Sequence, residues 1–125
     1  MGCDIHLYVE FKLNNHWFSI VANPFMIRNY RLFNALAGVR GSDAPLYAVK
    51  GFPSDAKYTD AHDDFFDENG RPELDWHSTT WLTPNEFGHV IDMVDDTPTG
   101  YHAIAALCRV LEREYAVRLI MWFDN

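Results

Sequence analysis

Cys3-Asp4-Ile5-His6-Leu7-Tyr8-Val9-Glu10-Phe11 alternates without a break. Cys3, Ile5, Leu7, Val9 and Phe11 point one way, and Asp4, His6, Tyr8 and Glu10 the other. Period two over nine residues is a half-buried strand. Asn14-Asn15 supplies turn chemistry, and Trp17 to Val21 reads as the returning arm of a hairpin, broken at Asn23-Pro24. At the far end of the chain, Val117 to Phe123 is apolar on both faces apart from Arg118, the pattern of a central strand.

Between these strands the period changes. Tyr30, Leu32, Phe33, Leu36 and Ala37 form a helical stripe that Gly38 can cap. Residues 39–54 read as loop, with Gly41, Pro45, Gly51 and Pro53. Ser54 is positioned to cap a short helix over 55–66, so acidic that it is expected on the surface, and Asn69-Gly70-Arg71-Pro72 ends it. His77 to Leu82 is β-prone. Thr83-Pro84-Asn85-Glu86 is a capping box with proline at the first helical position, followed by Phe87, Val90, Ile91 and Val94 at helical spacing. Thr97 to Gly100 separates this helix from a last one with Ile104, Leu107, Cys108 and Leu111 on one face. The order β-β-α-(α)-β-α-α-β predicts an α+β fold. Its sheet is mostly antiparallel, includes the N- and C-terminal strands, and has helices packed on one face.

The 125 residues are 48% apolar and 22% charged, which fits a single domain, residues 1–125, with enough core to fold. No run of 18 apolar residues exists, so no membrane span is expected. The net charge of −8 is uneven: residues 1–54 carry a net +2, residues 55–75 a net −6 and residues 76–125 a net −4. Such a chain repels duplex nucleic acid and anionic membranes, while a local basic cluster in the first 54 residues can still hold a small anion. A homo-oligomer is left open. Cys3 and Cys108 both fall on apolar faces and are expected as buried free thiols, as in a reducing compartment. Met1-Gly2-Cys3 lacks the Ser or Thr at the sixth position that a myristoylation signal wants, having His6, and no secretory signal pattern follows.

Three constellations carry chemistry. Asp4 and His6 project from one strand face, where a carboxylate can orient an imidazole or share a metal with it. His77-Ser78-Thr79-Thr80-Trp81 offers hydroxyls for phosphate oxygens and an indole for a base. His77-Ser78-Thr79 also fits one of the two His-x-Thr copies that two-histidine phosphoesterases need; His6-Leu7-Tyr8 does not supply the second. Arg28-Asn29-Tyr30-Arg31 places guanidinium groups at a helix start. A calcium loop at 65–76 fails because Phe65 and Trp76 stand where its first and last ligands belong. Gly-rich phosphate loops and paired-cysteine zinc spacings do not occur. With no third ligand beside Asp4 and His6, neither a tightly bound metal nor another cofactor is expected.

The opening Met1-Gly2-Cys3-Asp4-Ile5-His6, with Arg28 to Phe33, Leu36 to Arg40, Gly51 to Asp55, His77-Ser78-x-Thr80-Trp81-Leu82-Thr83 and Trp122 to Asn125, resembles a family of small bacteriophage and prophage proteins. The resemblance brings no activity with it. It implies the cytoplasm of an infected bacterium, and it singles out Asp4, His6, Arg28, Tyr30, Arg31, His77, Ser78 and Asp124. With Trp81 these are the expected ligand-binding residues, converging on one polar pocket in which His6, Arg31 and His77 share a cavity with an anionic ligand. No catalytic residue is assigned. The expected function is binding of a nucleotide-like or phosphorylated small ligand, in the manner of an anti-defence sponge for a cyclic or other signalling nucleotide of bacterial immunity. The alternatives are a small metal-dependent hydrolase or phosphoesterase using Asp4, His6 and His77, and a protein that meets a host enzyme through the acidic segment 55–75.

Overall fold

The computed structural model describes residues 2–22, 27–56 and 59–125. Asn23-Pro24, where the sequence breaks the second strand, lies outside them. Strands β1 (Ile5–Leu13) and β2 (His16–Val21) form the expected hairpin. Its two-residue turn has both Asn14 and Asn15 at positive φ, 51° and 64°, the geometry whose twist matches paired strands. Helix α1 (Tyr30–Ala37) follows, then α2 (Asp60–Phe65), β3 (His77–Leu82), α3 (Pro84–Met93), α4 (Thr99–Leu111) and β4 (Ala116–Phe123). The sheet is antiparallel throughout, in the order β2-β1-β4-β3. The α+β class therefore stands, with the terminal strands β1 and β4 paired at the centre from Ile5↔Phe123 to Lys12↔Ala116.

One face of the sheet carries the main core. Cys3, Ile5, Leu7 and Val9 meet Leu119, Met121 and Phe123, and α1, α3 and α4 close over them with Leu32, Phe33, Leu36, Phe87, Val90, Ile91, Tyr101, Ile104 and Cys108. Asn29 caps α1 by accepting from the Leu32 N–H, and Gly38 ends it in the left-handed conformation at φ 72°. The capping box of α3 is fully formed: Thr83 Oγ1 accepts from Glu86 N–H, and Glu86 Oε1 accepts from Thr83 N–H. Cys3 and Cys108 are free and buried. Among the described residues, no helix is long and apolar enough to cross a membrane.

The other face is covered as well. Tyr8, Ile120 and Trp122 pack against Ala56, Ala61 and Phe65, with Phe52, Phe66, Trp76 and Trp81 around them. The acidic segment is thus a cover. Thr59, not Ser54, caps α2, and the helix turns Ala61 and Phe65 inward while Asp60, Asp63 and Asp64 face out. Tyr8 and Glu10, on the polar-patterned side of β1, are 4% and 0% exposed. Alternation alone marks this face as wet. It is dry because a segment some fifty residues away in sequence folds back over it. Tyr8 keeps its hydroxyl satisfied by donating to Asp64 Oδ2 at 2.5 Å.

Phe33 meets Phe123 edge to face at 5.1 Å and is fully buried. Replacing it with Ala removes an aromatic contact between α1 and the central strand. Equilibrium unfolding in denaturant should show a loss of roughly 3–5 kcal/mol.

Candidate functional site

Two polar assemblies stand out, one at the end of the sheet and one in a groove on its second face. At the sheet end, β1 and β4 run on as a pair beyond their named limits: Asp124 N–H donates to the Asp4 carbonyl at 3.0 Å, and Asp4 N–H to Asp124 Oδ1 at 3.1 Å. Asp124 Oδ2 holds His6 Nε2 at 2.7 Å, and the imidazole lies parallel to Trp122 at 5.7 Å and tilted against Trp76 at 5.2 Å. Arg28, just before the cap of α1, grips Asp4 with Nε and Nη2 at 2.5 and 3.0 Å. A side chain at position 2 would meet that guanidinium and oblige it to shift. Tyr30 Oη accepts from Cys3 N–H at 3.1 Å. The structure thus brings Asp4, His6, Arg28, Tyr30 and Asp124 together.

His77 reaches the same edge from β3, but by another route. It lies opposite Phe123, whereas His6 lies opposite Trp122, so alternation points the two imidazoles to opposite faces of the sheet. His77 Nε2 meets Asn125 Oδ1 at 3.1 Å and its Nδ1 meets Ser78 Oγ at 2.9 Å. Ser78 stands at φ 58° within a bulge of β3. Arg31 is further away. Its side chain is 68% exposed beside Asp96, and it borders shallow hollows with Asn34 and Asp43. One cavity shared by His6, Arg31 and His77 is therefore not what the geometry provides. The reason is helical phase: Leu32 and Phe33 turn to the core, which sends Arg31 outward.

Chemically, the ionisable groups of the sheet end are paired with one another, while the buried Trp122 Nε1 beneath His6 finds no partner among the described residues. Asp4 is committed to Arg28, His6 to Asp124, and His77 to Asn125 and Ser78. Among the described residues, no three His, Cys, Asp or Glu side chains are grouped to hold a metal. Burial raises the Cys3 thiol above its ordinary value and pushes Cys108 up to about 12, so neither is an activated nucleophile.

The second assembly is an open groove of about 590 Å³, lined by Trp17, Lys50, Phe52, Pro53, Ser54, Asp55, Trp81, Val117 and Arg118. Of the residues expected from sequence, only Trp81 is here. Its floor is an ion pair. Glu10 and Arg118 are cross-strand partners, and Arg118 Nε donates to Glu10 Oε1 at 2.8 Å. Ser19 donates to the other Glu10 oxygen at 3.2 Å. Arg118 Nη1 donates to Asp55 Oδ1, and Trp17 Nε1 to Asp55 Oδ2 at 3.3 Å. The guanidinium lies 3.8 Å from the Trp17 ring centre, and Lys50 Nζ lies 4.0 Å from that of Trp81 while pairing with Glu86 at 2.8 Å. Hydrogen bonding from Arg118 holds the Asp55 carboxyl below the usual carboxylate range. One donor is left over. Arg118 is 6% exposed, and its Nη2 finds no partner among the described residues.

Sequence reasoning missed Trp17, Lys50, Asp55 and Arg118. The available signal was Arg118 itself, a lone charge on a strand otherwise apolar on both faces, which has to be paired if that strand is central.

No protein-family model, curated protein or solved structure matches the chain.

The Asp4–Arg28 pair gives a pH prediction. Arg28 hydrogen bonds hold the Asp4 carboxyl below its ordinary value. A carboxyl depressed in the folded state adds stability above its unfolded pKa, about 3.9, and loses it as pH falls through the folded value. Asp4→Asn should be less stable than wild type near neutrality, modestly because both side chains are 53% exposed. The gap should close below about pH 4, read as urea midpoints across a pH series.

Proposed function

We propose that this protein is a binding module for a small ligand that joins a planar ring to an anionic group, a nucleotide-like or phosphorylated molecule, held in the groove over Arg118. The observation that carries the reading is the buried guanidinium with an unspent N–H donor, set into a cavity walled by indoles. A buried donor without an acceptor costs stability, and the cost is recovered when a ligand supplies the acceptor. The groove's volume lies within the range of small-molecule sites, and aromatic faces beside cations are the usual platform for bases and phosphates.

Trp17 and Trp81 sit on the two edge strands, three strand spacings or roughly 14 Å apart. Their rings reach the groove from its two sides, Trp17 against Arg118 and Trp81 against Lys50. Binding is favoured over turnover because the oriented His6–Asp124 pair is at the sheet end and not among the groove's lining residues. Together with the resemblance of the sequence to phage proteins, the proposal extends to sequestering a signalling nucleotide of bacterial immunity inside an infected cell.

The test is incubation with a panel of linear and cyclic mono- and dinucleotides, with recovery of the ligand after heat denaturation. Intact ligand released from wild type supports the proposal. Disappearance of the ligand, blocked by a chelator, contradicts it in favour of a metal-dependent hydrolase. Trp81→Ala should weaken binding of a retained nucleotide about fivefold to more than a hundredfold by calorimetry, the worth of one stacked base.

A further inference from the structure

The groove as it stands is not electrostatically open to an anion. Arg118 is paired with Glu10 and Asp55, and Lys50 with Glu86. The two partners of Arg118 differ in kind. Glu10 is fully buried, holds Ser19 as well, and lies on the facing strand; it cannot leave without stranding a charge in the sheet. Asp55 has a side chain 60% exposed, comes from a loop, and would give up its side-chain bonds to Arg118 and Trp17. The loop itself is held by other contacts: Lys50 N–H donates to Thr80 Oγ1 at 3.0 Å, Gly51 N–H to the Thr79 carbonyl at 3.0 Å, and Ala56 N–H to the Pro53 carbonyl at 3.2 Å. The Asp55 side chain can turn out to water with its backbone in place.

Resting on the groove reading, we infer that Asp55 is an internal stand-in for the ligand's anionic group, and that a phosphate-bearing ligand binds by displacing its carboxylate from Arg118 and Trp17. The Asp55 carboxylate presents two oxygens to two donors, Arg118 Nη1 and Trp17 Nε1. A phosphate in the same place offers a third oxygen, and the donor still unspent is the buried Arg118 Nη2. The exchange therefore favours a phosphate over a carboxylate, and it sets the groove against ligands that have a ring but no phosphate, since these leave Asp55 where it is.

The experiment compares wild type with Asp55→Asn, using AMP and adenosine as probes by isothermal calorimetry. Removing the competing charge should tighten AMP binding about tenfold, the scale of one charge-assisted hydrogen bond, and leave adenosine unchanged. A thermal melt shows whether the variant is folded, and Asp55→Ala, which also removes the Trp17 acceptor, should give the same preference for AMP. Equal or weaker AMP binding by both variants overturns the inference while leaving the groove as the binding site. If neither wild type nor the variants bind AMP, the anion position is refuted, and the groove reading falls with it when the wider nucleotide panel also fails.

Discussion

An arginine and a glutamate face each other across the two central strands, both out of water, and the second face of the sheet is organised around them. Removing two charges from solvent is expensive, and leaving either one alone is worse. Glu10 and Arg118 therefore have to stay opposite one another, which fixes the register of β1 on β4 as firmly as the apolar alternation does. A slip of one residue would turn Glu10 into the main core and Leu7 and Val9 out of it. The same pair sets the next layer. Arg118 reaches past Glu10 to the Trp17 ring on β2 and to Asp55 on the covering loop, so three strands and a distant segment share one guanidinium.

The two polar assemblies differ in how their charged groups are paired. At the sheet end Asp4 pairs with Arg28 and His6 with Asp124, and the result is a clasp between the chain's first and last strands. In the groove the accounting does not close. Three of the groove's neighbouring charges are acidic and two are basic, yet a guanidinium N–H is left without an acceptor. The proposed ligand position offers that donor an acceptor within an open groove.

Much of the fold is legible in the sequence because its signals are local. The alternation from Cys3 to Phe11, the Asn14-Asn15 turn and the Thr83-to-Glu86 box each specify their own backbone. The apolar Val117-to-Phe123 run announces a central strand. What is not legible depends on distant segments meeting. Nothing near Tyr8 or Glu10 says that residues 52–76 will cover them, because Ala56, Ala61 and Phe65 are scattered among acids and form no recognisable stripe. The clasp residues were visible because they crowd around strand ends and a helix start. The groove residues were not, since Trp17, Lys50, Asp55 and Arg118 come from four separate stretches, and each alone resembles an ordinary surface or edge residue. Arg118 was the exception, conspicuous in its strand.

The central claim is that Arg118 anchors the ligand. The most direct measurement is an NMR titration of the arginine side chains of wild-type protein with the nucleotide it retains. The account predicts that the Arg118 guanidinium resonances move and sharpen as its free N–H acquires an acceptor, with the Trp17 and Trp81 indole signals following. Shifts confined to Arg28 and to residues around His6, with Arg118 unmoved, would contradict it and return the site to the sheet end.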